Sequence, residues 1–326
     1  MSEEKTSKLG ALFNAVGPFL ILLFVLGLFA VVMPSDVRGT FFSIYNLKLV
    51  LTQTVIVAIG ALGMTMIIVS AGIDLSVGSI IAVTSVLGAV LIRQQFSPGV
   101  VILAVILAGG FVGLINGTII GGFKMTPFIV TLGTLGIVRG VAKWLADNQT
   151  VNFPASPIGK IMHDPNPLGM LPAPGVWIAI ALAIVMTFVM RRTIFGRYIF
   201  AIGSNEATAR LCGIRTRLVK TAIYGISGLL FGLSGVMQLS RLSQGDPSTA
   251  IGIELDIIAA VVIGGASLNG GTGSILGSMI GALTMSVLRN GSTQSDWPNY
   301  MQEIIIGIVI ILAVGLDKWR QSRMQP

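Results

Sequence analysis

Two long apolar runs of this chain are separated by RRTIFGRYIFAIGSNEATARLCGIRTRLVK, residues 191–220. This stretch holds six arginines and one lysine, a composition typical of a loop that stays on the cytoplasmic side of a bilayer. Its middle, Gly203–Gly213, has the composition of a short polar helix, although far fewer residues are enough to connect two membrane spans. The sequence therefore predicts a membrane protein that holds a small helix out towards the cytosol.

The composition is that of an integral membrane protein. Hydrophobic residues make up 53% of the chain and charged residues 10%, and the mean hydropathy is +0.88. These values exclude a soluble globular domain. The 41 glycines predict close helix packing, because small residues let helix backbones approach each other in lipid. The net charge of +8 is assigned to membrane topology, and a nucleic-acid partner is not expected, since the basic residues flank apolar runs.

Ten apolar runs are long enough to cross about 30 Å of hydrocarbon. We therefore expect an all-α, lipid-embedded domain of about ten spans covering residues 1–326. With the amino terminus taken as cytoplasmic, most basic residues fall inside and both termini are cytoplasmic. The proline-rich loop Asp147–Gly175 is then the largest external feature. The runs begin near Val16, Leu47, Val77, Val100, Pro127, Val176, Thr221, Ile257, Ser274 and Ile304.

A short internal repeat predicts two halves of inverted topology. The sequence GIDL at Gly72–Leu75 reappears as GIEL at Gly252–Leu255, and each copy precedes an apolar run rich in small residues. The pairs Asn116-Gly117 and Asn290-Gly291 recur in the same way near the ends of two spans. Because an odd number of spans separates the copies, the two halves cross the membrane in opposite directions. Such repeats place a pathway at their interface, near the middle of the membrane.

The sequence carries no energy-converting motif of its own. The run Gly270–Ser274 lacks the lysine of a phosphate-binding loop, so the chain is not expected to be an ATP-hydrolysing enzyme. The span centres also lack the charged relay of a proton-coupled carrier. The single Cys212 excludes a disulfide within the chain, and with the single His163 it makes a metal site unexpected. An energy source is therefore expected on another subunit.

Five polar residues near span ends are candidates for a translocation path or its gate. For the carboxylates, two interpretations are open. They start helices, where a carboxylate meets unpaired amide groups and the positive end of the dipole, or they line a polar gate. The five candidates are Asp74, Ser76, Asn116, Glu254 and Asp256.

Four segments, in order along the chain, resemble one transporter family. They are Ser70–Ser79, Thr126–Thr134, Gly196–Ala207 and Gly252–Gly265. From about Asn46 to Asp317 the chain resembles the permease subunits of ribose-type monosaccharide ABC importers. It departs from the family pattern at Ala207-Thr208-Ala209, where two adjacent alanines are usual, and at Ser292-Thr293-Gln294, which is more polar.

The resemblance implies a bacterial inner-membrane protein that imports ribose or a similar monosaccharide. Family members pair as two permeases, bind a cytoplasmic ATPase and receive sugar from a periplasmic binding protein. The second permease is either another copy of this chain or a paralogue. ATP and Mg²⁺ are then bound by the ATPase, and this chain binds no cofactor.

The resemblance assigns residues 192–219 to coupling with the ATPase. Asn205 or Ser204 is predicted to cap the short helix, Glu206 to favour its first turn, and Gly213 to end it in a left-handed conformation. The alternative is an ordinary surface helix lying on the membrane. The predicted coupling residues are Gly203, Ser204, Asn205, Glu206, Ala207, Ala209, Arg210 and Gly213.

The expected mechanism is alternating access driven by the ATPase. Selectivity is assigned largely to the binding protein, because no span displays a cluster of amide, acidic and aromatic residues. Arg93, Lys160 and Arg241 are candidates for docking that protein, or else they position the chain at the membrane interface. Two other function classes stay open: a facilitator or secondary carrier that works without an ATPase, and a membrane scaffold or receptor that moves no solute.

Overall fold

The structure, a computed structural model, describes residues 2–163, 171–298, 300–308, 311 and 315. It confirms the predicted all-α polytopic fold. Residues 300–308 are helical, Pro157–Lys160 forms a 3-10 helix, and two-residue strands occur at Val151–Asn152 (β1) and Gln244–Gly245 (β2). The α-helices are α1 Ser2–Val32, α2 Ser35–Phe41, α3 Ile44–Val69, α4 Val77–Arg93, α5 Pro98–Phe123, α6 Pro127–Leu145, α7 Pro174–Arg192, α8 Ile194–Ser204, α9 Glu206–Leu211, α10 Thr216–Leu242, α11 Ile253–Ile263 and α12 Ile275–Gln294.

Each predicted apolar run coincides with a helix or begins beside one. By length and hydropathy, five helices of the described residues qualify as membrane spans: α3, α5, α6, α7 and α10. The first and last of these are mostly buried and form the centre of the bundle, whereas the other three are mostly exposed. Their exposed side chains include Leu103, Ile137 and Ile184, which is the composition expected of surfaces that face lipid.

One of the described helices, α11, is too short to be the full span that the sequence predicted. The run near Ile257 forms α11, whose 11 residues extend about 16 Å, roughly half of the hydrocarbon thickness. It starts opposite the middle of α3, where a Cβ on Gly60 would lie 2.5 Å from Ile257 Cδ1. The start of α4 is nearby, since a Cβ on Gly78 would lie 2.5 Å from Glu254 Oε2. Two helix amino termini therefore meet in the middle of the bundle.

Glycines bring the helix backbones together, as the composition predicted. In α5, Gly109, Gly113 and Gly117 follow each other at four-residue spacing and pack against α10. A Cβ on Gly113 would collide with the carbonyl oxygen of Tyr224. This is the close backbone packing by which helices associate in lipid.

Helices of one half also pack against helices of the other half, as an inverted repeat requires. The repeat matches α3, α4 and α5 with α10, α11 and α12, because its copies begin at Gly72 and Gly252. Helix α5 of the first set packs on α10 of the second, and α12 of the second packs on α3 of the first. The two halves are thus interleaved around the central pair, α3 and α10.

The predicted outer loop, Asp147–Gly175, packs onto one end of this bundle. Its strand β1 pairs antiparallel with β2, Val151 opposite Gly245, and Ser240 Oγ accepts a hydrogen bond from Met162 N at 2.9 Å. The predicted coupling segment lies at the other end of α10. The two predicted surfaces are therefore at opposite ends of the bundle; residues 164–170 of the loop lie outside the described part of the chain.

Candidate functional site

The predicted coupling segment forms two consecutive helices rather than one. Gly203 and Ser204 end α8, and the short helix α9 begins only at Glu206. Of the two predicted caps, Asn205 has this role: its Oδ1 accepts a hydrogen bond from Thr208 N at 2.9 Å. After the helix, Gly213 has φ +84°, the left-handed conformation that was expected to end it.

Helix α8 is fixed to the rest of the bundle by backbone contact. A Cβ on Gly203 would collide with the carbonyl oxygen of Val69, at the end of α3, and would lie 2.6 Å from Gly271 N. The same Val69 carbonyl accepts a hydrogen bond from Gly271 N at 2.9 Å, in the loop before α12. Three elements meet here without intervening side chains, so a displacement of α8 acts directly on α3 and on the loop before α12.

Glu206 connects α9 to the start of α10. Its two carboxylate oxygens contact Lys220 Nζ at 2.6 Å and Arg210 Nη2 at 3.2 Å. Partial burial by itself would raise the pKa of Glu206, but the hydrogen bonds and charges of Lys220 and Arg210 outweigh it and lower the pKa. The carboxylate is therefore ionised at neutral pH and fixes the orientation of the short helix.

The coupling segment presents an exposed tip. Leu211, the last residue of α9, is 89% exposed, and the neighbouring Cys212 is also exposed. By contrast Gly203 and Ala209, both predicted as coupling residues, are buried within the chain. They support the segment from behind, and their part in coupling remains a prediction. The predicted residues that are exposed are Ser204, Asn205, Ala207, Arg210 and Gly213.

Three of the five gate candidates form one buried polar network. Asp74 Oδ1 accepts hydrogen bonds from Ser76 N at 2.8 Å and Ser76 Oγ at 2.5 Å, just before α4 begins. Asn116 Nδ2 donates to Ser76 Oγ at 3.1 Å, and Thr134 Oγ1 donates to Asn116 Oδ1 at 2.7 Å. The network joins the start of α4 to α5 and α6. Both bonds of Asp74 are to Ser76, just before α4, so the helix-start and gate interpretations stay predictions for these residues.

The other two gate candidates, Glu254 and Asp256, lie in the first turn of α11. Glu254 Oε1 accepts a hydrogen bond from Gly252 N at 3.3 Å. Asp256 is 3% exposed, and its Oδ2 contacts Arg289 Nη2 of α12 at 2.6 Å. The ion pair connects the start of the half-length helix to the far end of α12.

Asp256 and Arg289 line a polar cavity of about 700 Å³ between α3, α10, α11 and α12. The cavity extends from the end of the bundle where β2 lies to the start of α11 in the middle. Its lining includes Gln53 of α3 and Gln238 of α10, whose Nε2 donates to Thr249 Oγ1 at 2.5 Å. A second crevice, of about 520 Å³, is lined almost wholly by apolar side chains and suits a hydrocarbon rather than a polar solute.

The three docking candidates lie at the same end of the bundle as β1 and β2. Arg93 is in the last turn of α4, which packs on β2, and Lys160 is in the 3-10 helix that packs on α10. Both are exposed. Arg241 belongs to the last turn of α10 and lines the polar cavity, so it is also placed to contact whatever enters there. Docking of a partner by these residues remains a prediction.

Several residues of these sites were not singled out from the sequence. Thr134 lies at the end of a segment that carries the family resemblance, which was its only signal. Gln53 and Gln238 are single amides in long apolar runs more than 180 positions apart, and only the packing of α3 beside α10 brings them to one cavity. Arg289 had the clearest signal, because a lone arginine in an apolar span is costly unless it has a partner.

Named relatives cover almost the whole chain. The ribose import permease protein RbsC of Escherichia coli (strain K12) is 38% identical over 309 residues, which are 92% of this chain and 93% of that protein. RbsC of Bacillus subtilis (strain 168) is 36% identical over 321 residues, 98% of each chain. The fructose import permease protein FrcC of Rhizobium meliloti is 34% identical over 315 residues, 94% of this chain and 85% of that protein.

No solved structure matches the chain. The family described as branched-chain amino acid transport system / permease component matches residues 46–314, most of the described helices included. That range contains the coupling segment, the half-length helix α11 and the polar cavity. The chain therefore belongs to this family of transport-system permease components.

Proposed function

We propose that this chain is the membrane-spanning subunit of an ATP-binding-cassette importer that moves a monosaccharide into the cytoplasm. The proposal is supported by family membership and by relatives named as ribose, fructose and L-arabinose permeases. The structural observation that carries it is the exposed tip of α9, with Leu211 89% exposed, on a support fixed to α3. This subunit makes and breaks no covalent bond.

A cytoplasmic ATPase is the proposed partner of this tip. A short helix that presents an apolar side chain is suited to a groove on another protein. Movement of the ATPase would pass from α9 to α8, because Asn205 connects them directly, and from Gly203 to Val69 and Gly271. ATP and Mg²⁺ belong to the ATPase in this proposal. The coupling end is then cytoplasmic, as are both termini, in the bacterial inner membrane.

A periplasmic sugar-binding protein is the proposed partner at the opposite end. Arg93 and Lys160 are exposed there, close to the opening of the polar cavity. Two permeases, as two copies or as paralogues, would enclose the path and open it alternately to the two sides. The hydrogen-bond network of Asp74, Ser76 and Asn116 is proposed to fix the position of the amino terminus of α4, which would form part of the gate.

Reconstitution tests the proposal. The chain, the ATPase and the binding protein are placed in proteoliposomes, and uptake of radiolabelled ribose, fructose and L-arabinose is measured. We expect uptake of at least one sugar only when ATP and all three proteins are present. Equal uptake without ATP would identify a facilitator instead. Stable binding of partners without uptake of any of the sugars would identify a scaffold.

A further inference from the structure

The polar cavity has the charge balance of a site for a neutral solute. Two aspartates, Asp246 and Asp256, and two arginines, Arg241 and Arg289, line it together with amide and hydroxyl side chains. Opposite charges in equal number leave little net attraction for an ion of either sign. Its volume of about 700 Å³ is within the range of small-molecule sites, roughly 300–1,000 Å³.

Two hydrogen-bond acceptors of the cavity lining have no partner among the residues that the structure describes. Asp256 Oδ1 and Gln294 Oε1 are buried and receive no hydrogen bond within the part of the chain that the structure describes. A buried acceptor without a donor costs about 1–3 kcal/mol, and more when it is charged. A solute bound here must donate hydrogen bonds to these acceptors and also accept them from the Arg289 guanidinium, because the Arg289 side chain is 46% exposed beside Asp256. A hydroxyl group supplies both, so a polyhydroxylated solute matches this lining.

The position of the cavity matches a step on a path across the membrane. At one end it reaches Gln244 and Asp246, beside β2, and at the other it reaches Ile253 in the first turn of α11. The amino terminus of the half-length α11, which carries the positive end of the helix dipole, lies beside the cavity here. A solute at this depth has left the outer end of the bundle and has reached the level where α4 and α11 start.

The lining also indicates that binding is weak. None of the described residues that line the cavity is aromatic, whereas tight small-molecule sites are rich in apolar and aromatic contacts. Weak binding is what a transit site needs, because the solute must leave again within each transport cycle.

We propose that this cavity is a transient sugar-binding site on the outer half of the translocation path. Arg289 and Gln53 donate hydrogen bonds to sugar oxygens, and the buried oxygens of Asp256 and Gln294 turn towards the cavity on binding to accept hydrogen bonds from sugar hydroxyls. The proposal rests on the proposed function and makes the sequence-based prediction more specific: selection by the binding protein is followed by a second contact inside the membrane. In this proposal Asp256, Gln53 and Gln294 contact the sugar itself and have no contact with the ATPase.

The test uses Asp256→Asn and Gln53→Leu in the reconstituted transporter. Thr52→Val is the matched control, because Thr52 is next to Gln53 on α3 and is not among the residues that line the cavity. We expect Asp256→Asn to slow uptake about tenfold and Gln53→Leu about threefold, corresponding to one hydrogen bond to a charged and to a neutral group. ATP hydrolysis stimulated by the loaded binding protein should stay within twofold of wild type, since the ATPase contact is at the other end.

The outcomes separate this inference from the proposed function. If the wild type takes up sugar and both variants take it up at the same rate, the cavity site is overturned, but the proposal of an importer stands. Absence of ATP-dependent uptake in the wild type overturns the importer, and the inference with it. Loss of stimulated ATP hydrolysis together with uptake assigns the two residues to conformational coupling and also overturns the site.

A cysteine experiment gives a second reading that does not depend on the strength of one hydrogen bond. Cys212 is the single cysteine of the chain, so Gln53→Cys in a Cys212→Ser background carries one thiol, inside the cavity. A membrane-impermeant methanethiosulfonate added outside should modify it and block uptake, and millimolar sugar should slow the modification. Full uptake after complete modification would overturn the proposal.

Discussion

Leu211→Ala removes the most exposed apolar side chain of the coupling segment. Leu211 is 89% exposed, so almost all of its side chain is available for burial against a partner. Full burial of a leucine contributes about 1.5–3 kcal/mol, of which alanine keeps a minor part, so the substitution should weaken ATPase binding by about 1–2 kcal/mol. That corresponds to a dissociation constant about 5- to 30-fold larger. Helix α9 itself should be unaffected, because alanine is a strong helix former.

The assay measures binding of the purified ATPase to the permease in nanodiscs by interferometry. Leu107→Ala is the matched control: Leu107 is 54% exposed but lies on the lipid-facing side of α5, and it should change the affinity by less than twofold. If Leu211→Ala also leaves the affinity unchanged within twofold, α9 is not the docking element and the coupling mechanism is refuted.

Three further predictions concern the same end of the molecule. Glu206→Arg replaces the partner of Lys220 and Arg210 with a third cation, so co-purification of the ATPase should fall while the amount of membrane-inserted chain is unchanged; full co-purification would contradict this. Gly203→Ala forces a Cβ against the Val69 carbonyl and should lower the thermal stability of the detergent-solubilised chain by several degrees; an unchanged melting temperature would show that the contact yields. Because the pKa of Glu206 is lowered, its stabilising contribution is complete above the pKa of an unfolded glutamate and is lost as pH falls through the lowered value; ATPase binding should therefore be flat from neutral to mildly acidic pH, and a decline near pH 6 would contradict the assignment.

The elements that depend on local sequence were predictable. Apolar length and turn residues located the helices, and capping chemistry located Asn205 and Gly213 at the two ends of α9. The boundary between α8 and α9 was missed, because Gly203 and Ser204 look like a helix start until the tight contact with Val69 is known.

The features that depend on tertiary packing were not predictable from one sequence. Hydropathy cannot distinguish the half-length α11 from a full span, since its apolar run continues through a glycine-rich loop into α12. Asp256 was identified as a gate candidate, but its partner Arg289 and the amides Gln53 and Gln238 come from three other helices. The cavity therefore appears only once α3, α10, α11 and α12 are packed together.

The side of the membrane on which α9 lies is the most direct test of the account. Cys212, the single cysteine, is exposed directly after this helix and can be labelled with a membrane-impermeant maleimide. We expect labelling in inside-out vesicles but not in intact cells, and slower labelling once the ATPase is bound. Labelling of Cys212 from the outside of intact cells would place the segment in the periplasm, where no ATPase can reach it, and would contradict the account.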